Sequence, residues 1–160
     1  MILDIRELEG ADGHVSGAGV TTVEDPVAGT IPVPWTVGID YRQSAGGYFF
    51  QAAVEGAIAT ACQQCLVPVQ HRVRGEFDLM VRRGEPGDGG DDVIFLTAQQ
   101  YEVEFDPFIH EAIVVNTPMI IVCREECRGL CPGCGVNRNT DACTCESPAD
   151  ERWDALKKLK

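Results

Sequence analysis

Apolar residues fall on every second position over a long stretch in the middle of the chain. Val67, Val69, Val73, Phe77, Leu79 and Val81 hold odd positions, while Gln70, Arg72, Arg74, Glu76 and Asp78 hold most of the even ones. A period of two predicts a strand with one buried face. His71 and Gly75 interrupt that face, and Gly75 predicts a bulge or bend. The whole of residues 1–83 reads as β-structure. Pro32, Pro34 and Gly38 bracket a short apolar stretch around Val33, Trp35 and Val37. Gly46-Gly47 marks a turn between Tyr41 and the run Tyr48-Phe49-Phe50.

Beyond the long strand the pattern changes. The string GEPGDGGDD, residues 84–92, predicts a mobile acidic loop, and Val93-Ile94-Phe95-Leu96 a short buried strand. Asp106-Pro107 reads as an N-cap followed by proline at the first helical position. Phe108, Ile109, Ala112 and Ile113 then share one helical face, and Pro118 ends the helix. Ser147-Pro148-Ala149-Asp150 repeats the cap-then-proline start. Trp153, Leu156 and Leu159 follow three apart, as in a terminal helix docked on the core or a helix that binds a partner. No internal repeat is evident.

The pattern predicts an α+β fold: an antiparallel β-rich core with one core helix, a cysteine-rich zinc-knuckle segment and a C-terminal helix. Residues 1–122 form the core domain with the acidic loop at 84–92. Residues 123–160 form a cysteine-rich segment and terminal helix packed on that core.

Eight cysteines carry the chemistry. Cys62 and Cys65 form one CxxC; Cys123, Cys127, Cys131, Cys134, Cys143 and Cys145 follow in the string CREECRGLCPGCGVNRNTDACTC. Two CxxC pairs and two further pairs suit two four-thiolate metal sites. In CPGCG the proline fixes one dihedral and the glycines permit positive φ, so backbone amides can turn toward sulfur. Cys131, Cys134, Cys143 and Cys145 are expected to form one site, and Cys62, Cys65, Cys123 and Cys127 the other. The alternative pools Cys62 and Cys65 with Cys131 and Cys134 and leaves the rest free. Zinc is the expected metal because it accepts four thiolates and is redox-silent; iron in a rubredoxin-like site is the runner-up. A set saturated with protein sulfur has no position for substrate, so no catalytic residue is expected. The three histidines, His14, His71 and His110, are scattered, and no nucleophile triad, Walker loop or dinucleotide fingerprint is present.

Charge narrows the partners. The chain has 160 residues with 25 acidic and 13 basic side chains, a net charge of −12. Such a field disfavours broad, non-specific binding to nucleic acid. Glu85, Asp88, Asp91, Asp92, Glu102, Glu104, Asp106 and Glu111 fall between Gly84 and Cys123 with no Lys or Arg among them. A basic protein is the partner this middle segment suits; a solvated surface is the plainer reading. Arg124, Arg128 and Arg138 lie in the cysteine segment, and Arg72, Arg74, Arg82 and Arg83 around the long strand. They are candidates for local RNA contacts, or merely balance thiolate charge. A metal-thiolate redox sensor is the further alternative. No apolar run approaches a membrane span, the start MILDIRELEG lacks the order of a secretory signal, and thiol-rich composition suits a reducing cytoplasm.

Three strings together, CQQCLVPVQHRVRGEFDLMV, CREECRGLCPGCGVNRNTDACTC and DERWDALKKLK, resemble the YceD family. The resemblance covers roughly residues 46–160 and, more weakly, the start LDIREL. Arg138 with Asn139 departs from it, where an NLN-like stretch is usual. The resemblance implies a role in large ribosomal subunit biogenesis and 23S rRNA accumulation, with a basic large-subunit ribosomal protein or the 23S rRNA precursor as partner. It implies no small-molecule substrate, no membrane and no enzymatic activity.

Overall fold

A computed structural model describes residues 1–25, 28–44, 46–85, 90 and 92–145. The described chain forms β1 (Ile2–Asp4), a 3-10 turn (Ile5–Glu7), β2 (Asp12–Asp25), β3 (Gly29–Ser44), β4 (Gly47–Ala61), β5 (Pro68–Arg83), β6 (Val93–Leu96), β7 (Glu102–Glu104) and α1 (Asp106–Asn116). The predicted C-terminal helix and the centre of the acidic loop lie outside the described residues.

Strands β2 to β5 form an antiparallel meander in sequence order. The fifth strand, β6, adds to β5 in parallel, which the expectation of an antiparallel core did not contain. β1 and β7 form a separate antiparallel ladder. Each long strand alternates as a one-sided sheet requires. Ile31, Val33, Trp35, Val37, Ile39 and Tyr41 of β3 are buried, as are Phe50, Ala52, Val54 and Ile58 of β4. The intervening residues of the sheet face outward and are mostly exposed. Among the described residues, the result is a strand-rich core with one helix, α1, over one face.

Two local expectations are corrected. Pro32, Pro34 and Gly38 do not bound a short strand; they lie inside β3. Pairing of β3 with β4 begins at Trp35–Gly56, so both prolines sit where β3 is paired only with β2. One side of the backbone there needs no ladder donor, and proline is tolerated. Gly75 does not mark a bulge. Its pairing with Val54 is part of an unbroken register along β4 and β5. A Cβ at Gly75 would lie 2.8 Å from the Ala112 carbonyl oxygen. Glycine is needed because α1 approaches the sheet this closely.

Ile109, Ala112 and Ile113 of α1 are buried against that face. Phe105, at the helix entrance, meets Phe50 edge-on at 5.3 Å between ring centroids. Asp106 is not the cap: Phe105 holds that position without a side-chain cap, and Asp106 is the first helical residue. Its carboxylate instead pairs with the N-terminal ammonium of Met1. This pair and the bond from Phe105 N–H to the Met1 carbonyl tie β1 to the helix entrance. No helix among the described residues is long and apolar enough to cross a membrane.

Candidate metal centres

The first cysteine pair sits at the connection between β4 and β5. Cys62 N–H donates to the Val67 carbonyl at 2.8 Å, and Leu66 N–H donates to the Cys62 carbonyl at 2.9 Å. Leu66 adopts φ 60° to close this turn. Two further bonds dock the cysteine-rich segment here: Gln63 N–H to the Ile121 carbonyl, and Leu130 N–H to the Gln64 carbonyl, both 3.0 Å.

The second pair makes the same turn. Cys131 N–H donates to Val136 and Gly135 N–H to the Cys131 carbonyl, each at 2.8 Å, with Gly135 at φ 74°. Gly133 N–H and Cys145 N–H are directed at the sulfurs of Cys131 and Cys143, each at 3.4 Å.

The structure gathers the sulfurs of Cys62, Cys65, Cys123 and Cys127 into one set and those of Cys131, Cys134, Cys143 and Cys145 into another, with the ligand atoms of each set within 4.8 Å of one another. This is the pairing the spacing suggests. The pool of Cys62 and Cys65 with Cys131 and Cys134 is not among the sets found in the described residues. Sulfur separations are 3.8 Å for Cys62–Cys127, 3.6 Å for Cys65–Cys123, 3.6 Å for Cys134–Cys143 and 3.2 Å for Cys131–Cys143. Four sulfurs placed ~2.3 Å from one tetrahedral ion lie about 3.8 Å apart. The eight thiols are free, and the sets fit a metal ion.

Thiol acidity in each set diverges. Burial works against ionisation of Cys62, but N–H groups of Gln64, Cys65 and Cys123 directed at its sulfur outweigh it and bring the pKa down to about 6. The Cys134 N–H, then the Cys143 thiol and the Gly133 N–H, lower Cys131 to about 6. Loss of water around the Cys123 sulfur, then contact with Cys65, pushes Cys123 up to about 12. The Cys134 and Cys143 sulfurs push Cys145 up to about 12. Four thiolates repel one another at this range, so full ionisation requires a cation among them.

The sets differ in exposure. Cys62 and Cys65 are buried and Cys127 is half-buried, with Cys123 exposed; in the second set only Cys131 is buried. The first set bridges 65 sequence positions between Cys62 and Cys127, so an ion there would staple the sheet end to the C-terminal segment.

Asn139 fastens the first set to the segment between the two, a role the sequence did not reveal. Its Nδ2 donates to the Cys127 sulfur at 3.4 Å and to Asn137 Oδ1 at 2.8 Å. Its Oδ1 accepts from Arg124 Nη2 at 2.7 Å and from Arg128 N–H at 2.9 Å. Of the three candidate RNA-contact arginines in the cysteine segment, Arg124 is thus held by Asn139. Arg128 and Arg138 line one recess beside Cys131, Cys143 and Cys145.

The described fold and its sulfur sets define a class: an antiparallel meander, with one helix among the described residues, followed by a segment that folds around two four-cysteine clusters able to hold metal. A family model described as "Large ribosomal RNA subunit accumulation protein YceD" matches residues 50–160. The chain belongs to the YceD family. A chloroplastic YCED homolog 1 of Zea mays, described as a large ribosomal RNA subunit accumulation protein, is 24% identical over 71% of this chain and 49% of its own length. Uncharacterized proteins of Mycobacterium bovis and Mycobacterium tuberculosis are each 28% identical over 69% of this chain and 54% of their own. The chain thus spans about half the length of the curated relatives it matches. No solved structure matches it.

Proposed function

We propose that this chain is a non-catalytic, zinc-stapled binding factor that supports 23S rRNA accumulation by holding a basic ribosomal protein of the large subunit. Zinc fits because each set offers four sulfurs and nothing else, and four sulfurs fill its coordination. A filled tetrahedron leaves no position at the metal for a substrate.

The observation that carries the reading is a set of exposed carboxylates without an ion-paired Lys or Arg among the described residues. Glu85, Asp92, Glu102, Glu104 and Glu111 are exposed, and none forms an ion pair with Lys or Arg among the described residues. Asp106 pairs only with the chain's own terminus. Such a surface attracts a basic protein and keeps it from premature contact with RNA. The test is binding of the full chain to a purified basic large-subunit ribosomal protein at rising salt. Binding should weaken steeply with salt and fall further in a variant with Glu102→Lys, Glu104→Lys and Glu111→Lys. Salt-insensitive binding, or none at low salt, sinks the acidic-surface mechanism.

A second reading, direct contact with the 23S rRNA precursor, is favoured by the shared recess of Arg128 and Arg138. Cross-links from bound RNA to these residues would support it; cross-links confined to the acidic surface would not.

A further inference from the structure

The end of the sheet opposite the cysteines holds a cavity that neither sulfur set uses. It lies where the β3–β4 turn, the end of β5 and the 3-10 turn meet. At about 3.3 Å per residue, the length of β4 places it roughly 45 Å from the first cysteine set. The cavity is about 500 Å³, enough for one nucleoside-sized group.

Its walls have three kinds of surface. Buried Ile5 and Val81 give an apolar floor. Half-buried Tyr48 and Tyr101 present rings. Exposed Arg6 and Arg83 stand at the rim, and both cover the Tyr101 ring, each guanidinium carbon lying over it at 4.5 Å and 4.7 Å from its centroid.

The two arginines are not equivalent. Asp4 neutralises Arg6, accepting from its Nε at 3.0 Å and 3.1 Å. Arg83 donates only from Nη1, to the carbonyls of Thr97 and Ala98, and no carboxylate of the described residues pairs with it. Its charge and its other N–H groups remain available to an anion. The opposite face of this sheet end also carries arginines. Arg82 stands opposite Gly47, and Arg42 opposite Phe49, in outward positions at the same end of the sheet.

We infer that this cavity binds a nucleotide, with the base against the Tyr48 ring over the apolar floor and the phosphate on Arg83, whose guanidinium Tyr101 holds in place. A free inorganic anion would leave the Tyr48 ring and floor idle, and so would an acidic peptide. A nucleotide uses all three surfaces. The inference stands apart from the acidic surface and its protein partner, and either can fail without the other.

The test uses the full metal-loaded chain, a labelled single-stranded RNA of ~10 nucleotides, and unlabelled 5′-mononucleotides as competitors. Arg83→Gln, and Tyr101→Leu through the Arg83 guanidinium it holds, should each weaken RNA binding about tenfold or more, the scale of one lost phosphate contact. Tyr101→Phe, which keeps the ring, and Arg83→Lys, which keeps the charge, should retain most of it. Arg83→Gln should also reduce the dependence of log affinity on log salt by about one. Competition by mononucleotides assigns the pocket to free nucleotides as well as strands; binding of RNA alone assigns it to strands. Arg83 is exposed, so its variants report even if Tyr101→Leu unfolds. The inference is overturned if neither probe binds at low salt, if Arg83→Gln binds as the parent does, or if only the arginines of the cysteine segment matter.

Discussion

Leu66 does in the first cysteine turn what Gly135 does in the second. Each is the fourth residue after the leading cysteine, each donates its N–H back to that cysteine's carbonyl, and each has positive φ, 60° for Leu66 and 74° for Gly135. The fifth residue, Val67 or Val136, accepts from the cysteine N–H in both. Glycine enters this backbone region freely, whereas a residue with Cβ crowds its own carbonyl at a cost of roughly 1–2 kcal/mol. Leu66 is the non-glycine residue that does so, and it is 54% exposed, so burial offsets little of that strain.

Leu66→Gly is therefore expected to stabilise the chain by up to ~1 kcal/mol. The reverse change, Gly135→Leu, should destabilise the second turn by about as much and hasten loss of its metal. Urea unfolding of the metal-loaded protein measures the first, and metal release to a chelating dye the second. A lower midpoint for Leu66→Gly would mean that the leucine side chain makes contacts worth more than the strain.

Gly75→Ala should cost about 1–3 kcal/mol, the range for overpacking a close contact. The added methyl would meet the Ala112 carbonyl oxygen at 2.8 Å and the Ala112 Cβ at 3.1 Å. The nearer atom is backbone, so adding Ala112→Gly should recover only part of the loss. Denaturant unfolding of the two single variants and the double decides it. Full recovery would place the whole clash on the Ala112 methyl.

These residues show where the sequence was readable. Period two made β5 legible because a one-sided sheet forces it, and the Gly46-Gly47 turn was legible from its dipeptide, whereas β2, β3 and β4 were read only as β-structure without bounds. Gly75 was recognised as special but for the wrong reason. A glycine in a strand signals a bulge or a close neighbour, and the neighbour comes from a helix 37 positions away in sequence. β1 and β7 are only three residues each, too short for periodicity to register. The grouping of cysteines was legible from spacing, since a CxxC turn brings two sulfurs to one point. The likeness of the two turns was hidden, because one ends in CLV and the other in CGV and hydrogen bonding alone relates them. Asn139 was hidden for a similar reason: a polar residue near a cysteine run has no special character until Cys127, Arg124 and Arg128 converge on it.

Asn139→Ala should weaken metal at the first set by about 10–100-fold, the usual effect of losing a group that orients a ligand. The residue donates to the Cys127 sulfur, a bond that lowers the thiol's pKa, and it anchors the backbone at Arg128. Metal competition with a chelating dye, using Cys145→Ser to silence the second set, isolates the effect. An unchanged affinity would reduce Asn139 to a loop fastener.

Chelator should remove metal in two phases. Three of the four sulfur residues in the second set reach solvent, and that set is formed within 15 consecutive residues, Cys131 to Cys145. A chelator can reach it by local opening alone. The first set has Cys62 and Cys65 buried between the sheet end and the docked segment, so release requires breaking the bonds from Gln63 to Ile121 and from Leu130 to Gln64. The fast phase should therefore vanish in Cys145→Ser with the sheet intact. Cys62→Ser should abolish the slow phase and lower the unfolding midpoint of the whole chain, because it frees a long loop as well as a ligand. A dye that absorbs on binding zinc gives both phases, and circular dichroism followed in parallel tells loss of metal from loss of fold. Release of both ions at one rate would mean that the sets open together, as one cooperative unit.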